Sequence, residues 1–206
     1  MTLDGKIATR SGDSRISSQA DLARLHTLRA EADAVMVGRG TQLGDDPKLS
    51  VRLARGRNPL RIIVDSLCRI SPRSKVFSTS GGRTIIAVSE KAPGVRVKKL
   101  QREGVTVIRC GNGRSVNLRI LVAKLCEMGV RRLLLEGGGR LNWSMLSGKL
   151  VDEVRVTVAP AIVGGANATT LVEGPGVRIV PRAIKLKLSK ITRYGNEVVL
   201  TYLVRN

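Results

Sequence analysis

Aromatic residues, histidine and cysteine are what this chain has least of, and each scarcity closes off a class of function. Phe77, Trp143, Tyr194 and Tyr202 are the only four aromatics in 206 residues, and they stand apart. They form no stacking platform of the kind that single-stranded RNA or DNA binders need. His26 is the single histidine, so there is neither a His cluster for a catalytic metal nor an obvious Ser-His-Asp relay. No metal is expected. Cys68, Cys110 and Cys126 are far apart, odd in number and without a Cys-x-x-Cys pair, which fits reduced thiols in a cytoplasm rather than disulfides or zinc. No apolar run reaches the roughly 18–20 residues that span a bilayer, and the first residues lack a signal-peptide core. A soluble, cytoplasmic protein with no membrane partner is expected.

Acidic residues are scarce as well. Thirty-six Lys and Arg oppose sixteen Asp and Glu, a net charge of +20. Within residues 1–50, seven bases meet seven acids, so the whole excess lies in residues 51–206. The bases form no block of five or six and are scattered through segments of strand and helix periodicity. That pattern reads as solvated surface. Nucleic acid is not the expected partner, although a duplex-backbone binder stays open as an alternative. A hydrophobic content of 42% supplies a sizeable core.

What is abundant is Val- and Ile-rich runs at short intervals. Ala34–Val37, Ile62–Val64, Thr84–Val88, Val105–Ile108, Leu133–Leu135, Val154–Val158, Lys185–Ile191 and Val198–Val204 read as strands. The early and central ones are nearly continuous apolar runs, as in parallel strands buried on both faces. Between them, Ser17 or Ser18 caps a helix to about Ala30 with Leu22, Leu25 and Leu28 on one face, and Val116–Met128 repeats the pattern before Gly129. Val97–Arg102 reads as a shorter helix closed by Gly104. The tail, with Tyr194-Gly195-Asn196 between two runs, reads as an antiparallel hairpin. These elements predict one α/β domain over residues 1–206, with a mixed, mostly parallel sheet flanked by helices and a C-terminal hairpin.

The strand Leu133–Leu135 runs through Glu136 into Gly137, Gly138 and Gly139 and then into a helical stretch near Asn142–Leu146. A glycine turn at a helix N-terminus lets a pyrophosphate approach bare backbone, and it equally serves as a plain strand-to-helix turn. Glu136 sits where open α/β sheets bind ligands. A second strand ends in Gly38–Pro47, a glycine-rich turn with Thr41, Asp45 and Asp46. These side chains either cap the turn or hydrogen-bond ribose or amide donors. Ser66 and Arg69, beyond the strand at Ile62–Val64, offer a hydroxyl and a guanidinium, the latter equally a solvated loop charge. Glycine-rich strand ends with no metal set and no triad favour a nucleotide cofactor site over hydrolysis.

Taken in order, Thr2–Thr9, Ile16-Ser17, His26–Ala30, Asp33–Gly38, Asp45–Pro47, Leu49–Arg52, Glu136–Gly139, Leu150–Glu153 and Ala159-Pro160 resemble the reductase family of riboflavin biosynthesis in its stand-alone archaeal form, over residues 2–204. The resemblance implies a dihydrofolate-reductase-like fold, a homodimer and a small phosphorylated pyrimidine substrate. It also implies NADPH-dependent reduction of the ribosylamino group of a diaminopyrimidinone 5′-phosphate to the ribitylamino product. The His-x-Glu and Pro-Cys-x-x-Cys motifs of the deaminase fused to many relatives are missing from the sequence, so no deaminase domain is expected. By the same resemblance, cofactor contacts fall on Thr41, Asp45, Ser66 and the stretch Gly138, Gly139, Arg140, Leu141 and Asn142 through Ser144. Substrate contacts fall on Ser14, Arg29, Leu49, Arg52 and Glu136, with Arg29 and Arg52 gripping the phosphate. Lys6, Asp45 and Glu136 are the family-motif residues able to serve catalysis, with Lys6 expected to donate the proton. The chain departs from the family pattern in two places. Arg15-Ile16 replaces a tryptophan, and Met1 abuts the Thr2–Lys6 motif, so a short or missing first strand is expected. Another dihydrofolate-reductase-like oxidoreductase, or a module that holds NADPH without turnover, are the competing readings.

Overall fold

In a computed structural model, residues 1–78 and 81–205 are described. The chain packs as two units, Ala23–Gly137 and a second made of Met1–Leu22 with Gly138–Asn206. The backbone passes from one to the other within α1 (Gln19–Glu31) and at the Gly137–Gly138 peptide.

The unit Ala23–Gly137 is built on five parallel strands: β1 (Ala34–Gly38), β2 (Leu60–Val64), β3 (Thr84–Val88), β4 (Thr106–Arg109) and β5 (Leu133–Gly137). Their order is β4-β3-β2-β1-β5. Val35, Val37, Ile63, Ile86 and Val88 pack with Val97 and Leu100 of α3 (Gly94–Arg102) in one cluster. On the opposite face Ala34, Met36, Ile62, Ile85 and Ala87 are buried too, so both faces are covered as the apolar runs imply. Helix α4 (Leu118–Glu127) starts where the Asn117 side chain accepts the N–H groups of Arg119 and Ile120, and it is closed by Gly129 at φ +90°.

One element differs from the sequence reading. Arg39–Asp45, expected as a glycine-rich turn, is a short helix, α2. Gly40 and Gly44 weaken it, but Asp46 ends it in a left-handed conformation at φ +41°, and the Gln42 carboxamide donates to the Asp46 carboxylate at 2.7 Å. Asp46 also accepts the Lys75 N–H, so this acid is committed to fixing the loop.

The second unit holds α5 (Gly139–Ser147), β6 (Glu153–Val158), β7 (Leu186–Tyr194) and β8 (Glu197–Val204). Its three strands form a separate antiparallel sheet of order β6-β8-β7. The parallel and antiparallel pairings both expected are therefore present, divided between two sheets. Gly195 at φ +57° makes the tight turn of the β7–β8 hairpin. The register shifts between Leu188 and Lys190, so Ser189 bulges out of the ladder. Because the pleat alternates, this bulge returns Ile191 to the face that carries Leu186 and Leu188. That face continues through Val204, Tyr202 and Leu200 of β8 and Val154 and Val156 of β6. Near the start of the chain, Thr2 and Lys6 make isolated bridges to Ala159 and Thr170.

Candidate active site

In the unit Ala23–Gly137, the chain lays β2, β3 and β4 on one side of β1 and then returns to place β5 on the other. The order reverses between β1 and β5, and open α/β sheets bind ligands beyond the carboxyl ends of such a strand pair. Met36 pairs with Leu135 and Val37 with Gly137, so Glu136 is an extra residue between two ladder positions. A bulge of this kind re-aims a side chain next to a site. Here it frees Glu136 from the β1 ladder and sends its carboxylate to Arg29 of α1. Arg29 Nε and Nη2 donate to the two Glu136 oxygens at 2.6 Å each, a fork-on-fork pair in which Arg29 is only 6% exposed. The third nitrogen, Nη1, donates to the Ser50 carbonyl at 3.2 Å.

The Arg29 fork thus pairs with Glu136 and with main chain, and so orients that carboxylate. Arg52 is different: it is exposed, and its Nη1 donates to the Ser50 hydroxyl at 2.7 Å. Leu49, just before Ser50, is buried and sits at φ +52°, a conformation rare for a bulky side chain. Helix α1 also differs from its apolar pattern. Leu22, Leu25 and Leu28 are half-buried, whereas Asp21, His26 and Arg29 are buried, each with a partner that removes the cost of burying a polar group. His26 Nδ1 accepts the Arg52 N–H at 2.8 Å. Burial first, then the positive charges of Arg29 and Arg52, hold its pKa down at about 4.

Thr41 lies half-buried on α2 and Asp45 is exposed at its end. At the end of β2 the Asp65 carboxylate, itself buried, accepts the N–H groups of Arg69 and Ile70. Ser66 Oγ accepts the Val116 N–H at 3.1 Å, while the Arg69 side chain is exposed. Asp65 was invisible as a loop organiser because a lone acid after a strand carries no signal of what it will bind. Burial raises the thiol pKa of both Cys68 and Cys110, which makes them unreactive.

In the second unit, Gly138 at φ +22° precedes α5 and has no side chain to cap the first turn. A Cβ on Gly139 would meet the Thr170 carbonyl and the Glu173 side chain at 2.7 and 2.6 Å, so this glycine is needed for close packing of its own chain. Arg140 is exposed, Leu141 is buried in the core, and the Asn142 carboxamide donates to the Leu171 carbonyl at 2.8 Å. Of these side chains Arg140 is the one turned to solvent. The half-buried Lys6 extends its Nζ to 3.3 Å from the Ala168 carbonyl. Beside it, Asp4 accepts the Thr2 hydroxyl and the N–H groups of Gly164 and Val163, and these hydrogen bonds hold its pKa down to about 2. Ser14 is exposed in the 9–16 turn. Among the described residues, no group of three or more His, Cys, Asp or Glu is placed to hold a metal, and no helix is long and apolar enough to cross a membrane.

The RibD C-terminal domain family matches residues 1–200. The chain is 48% identical to the 2,5-diamino-6-ribosylamino-4(3H)-pyrimidinone 5′-phosphate reductase of Methanothermobacter thermautotrophicus, covering 100% of this chain and 95% of that protein. It is 38% identical to the protein of the same name in Archaeoglobus fulgidus, with 97% and 93% covered. Acinetobacter baumannii RibD, a solved structure, superposes with a TM-score of 0.84 at 22% identity, over 100% of this chain and 56% of that one.

Proposed function

The chain belongs to the RibD C-terminal domain family of reductases, and from that premise we propose that it reduces 2,5-diamino-6-ribosylamino-4(3H)-pyrimidinone 5′-phosphate to its ribitylamino product, with NADPH as donor, in the cytoplasm. The observation that carries this reading is the end-to-end likeness to stand-alone reductases of that name.

Reduction at the ribosyl C1′ requires a hydride at that carbon and a proton at the ring oxygen that leaves it. NADPH supplies the hydride when bound. Its fit to this chain rests on two observations. The N-terminus of α5, a helix of nine residues that begins at glycines, lets a pyrophosphate approach main chain closely. Arg69 is exposed beside Ser66 and is suited to a 2′-phosphate. Thr41 and Asp45 are polar groups for the cofactor's ribose or amide. Toward the substrate, Arg52 holds the 5′-phosphate, Leu49 and Ser14 contribute contacts, and Glu136 accepts hydrogen bonds from sugar hydroxyls or pyrimidine N–H groups. Arg29 keeps that carboxylate aimed through its two-pronged pair. Lys6 gives the proton, or stabilises the alkoxide as it develops.

The same reading includes a homodimer. The sheet face bearing Leu186, Leu188 and Ile191 is apolar over those three positions, with Arg193 following on the same face, and Ile191 is 60% exposed. Its outer strand β7 is an unpaired edge, the kind of surface that soluble proteins normally cover. A second copy meeting this face around a two-fold axis would cover it.

The test is incubation of the purified chain with NADPH and the ribosylamino substrate. Loss of NADPH absorbance together with a product heavier by one hydride and one proton is expected. Cofactor binding with no turnover would sink the reading and leave a nucleotide-holding module.

A further inference from the structure

The only histidine in the sequence is 3% exposed and takes no part in the proposed proton transfer. It is a structural group of unusual reach. The segment Ser50–Arg52 belongs to no helix or strand, yet three successive main-chain groups in it are bound by side chains. The Ser50 carbonyl accepts from Arg29 Nη1 at 3.2 Å, the Val51 N–H donates to Asn58 Oδ1 at 2.7 Å, and the Arg52 N–H donates to His26 Nδ1 at 2.8 Å. Leu49, immediately before them, is in the left-handed region and 1% exposed. A bulky residue holds that conformation only where its surroundings over-determine it. His26 and Arg29 lie three apart on α1 and so share a helix face. One helix face therefore sets both the main chain that carries Arg52 and, through the Arg29 fork, the Glu136 carboxylate.

We propose that His26 is a positioning residue for the substrate: by accepting the Arg52 N–H at Nδ1, it fixes the main chain at Arg52 and thereby aims the exposed Arg52 guanidinium. An acceptor at Nδ1 leaves the ring proton on Nε2. A protonated ring would turn a donor toward the Arg52 N–H, and the depressed pKa keeps the acceptor form at neutral pH. The groups that face the ring, Arg29 and Arg52, are both cationic. The proposal rests on the reading that Arg52 binds the 5′-phosphate.

Two variants separate positioning from packing. His26→Phe keeps the ring volume and removes the acceptor, and His26→Asn places Oδ1 close to where Nδ1 lies. In steady-state kinetics, His26→Phe should raise the substrate KM about tenfold, the scale of one buried hydrogen bond lost, with kcat and the NADPH KM within about twofold. His26→Asn should recover most of that loss. On an Arg52→Ala background, His26→Phe should raise the substrate KM no further. An unchanged KM, a rise in both KM values, or equal effects with and without Arg52 would overturn the proposal. A ligand-free measurement keeps it apart from the functional reading. The Arg52 amide should be protected from hydrogen exchange in wild type and in His26→Asn, and exposed in His26→Phe. If wild type fails to reduce the substrate, the function is wrong, while the amide still decides the His26 contact. Should His26→Phe not fold, His26→Leu carries the same measurements, and amide protection that survives loss of the ring refutes the idea.

Discussion

Each of the two sheets has one bulge, and the two are put to opposite uses. In the parallel sheet, the extra residue Glu136 leaves an otherwise apolar ladder and delivers a carboxylate to Arg29. In the antiparallel sheet, the extra residue Ser189 extends an apolar row by bringing Ile191 into line with Leu186 and Leu188. The first turns a strand end into chemistry, in a layer whose apolar side chains are already satisfied by their own unit. The second builds a surface whose apolar side chains are left half-exposed. A one-residue slip thus leaves a paired carboxylate at the end of one sheet and a partly exposed apolar face on the other.

The comparison breaks most severely at Glu136. Glu136→Leu leaves the Arg29 guanidinium buried without its counter-charge, a loss of about 3–5 kcal/mol, and it should also abolish substrate binding. Urea denaturation read by circular dichroism checks the first effect. Restoration of stability, but not activity, in Arg29→Leu/Glu136→Leu would confirm that the pair's structural worth is mutual.

Lys6→Met should lower kcat by roughly 100-fold, in the range of general acid–base losses, while NADPH binding followed by fluorescence stays near wild type. A mutant with wild-type kcat would move the proton to Asp45 or to water.

At the other bulge, Ile191→Lys should change the stability of the protomer by less than about 0.5 kcal/mol. It should nevertheless weaken self-association by about tenfold or more, because it places a desolvated charge in the apolar patch. Sedimentation velocity across a concentration series distinguishes the two effects, and an unchanged association constant would remove β7 from the interface.

Acid should act on the parallel-sheet unit through His26. Its pKa is about 4 in the folded chain against 6.5 for the free group, so the unfolded chain takes up the proton first. The stability this group contributes is complete above pH 6.5, falls between 6.5 and 4 and is constant below, with a slope of at most about 1.4 kcal/mol per pH unit. Denaturation midpoints at several pH values in that window, in wild type and His26→Asn, should differ in slope. The smallest effect is expected at Arg69. Arg69→Ala should narrow the preference for NADPH over NADH by about tenfold, the worth of one charge-assisted contact, and an unchanged ratio would exclude Arg69 from the 2′-phosphate.

Strand positions were legible because burial on both faces leaves a continuous apolar run. Thr84–Val88 was read to the residue, and the hairpin turn showed in Tyr194-Gly195-Asn196. Helix α2 was hidden by Gly40 and Gly44, whose low propensity is overridden by the Asp46 cap and the buried Gln42. The polar face of α1 was hidden for a related reason. Periodicity finds buried leucines, whereas Asp21, His26 and Arg29 are buried only because partners distant in sequence accept or donate hydrogen bonds. Glu136 stood out in the sequence from its place at a strand end. That it lies outside the ladder was not, since register depends on which strand lies beside it.

Leu49 has a consequence for how such a chain can drift. Its side chain packs in the same cluster as Val35, Val37, Ile63 and Ile70, while its backbone carries the left-handed turn that leads into Ser50 and Arg52. The loop is thus indexed to the interior of the sheet as well as to its own hydrogen bonds. Exchanges among aliphatic residues at those interior positions therefore reach the loop that carries Arg52 as well as the core.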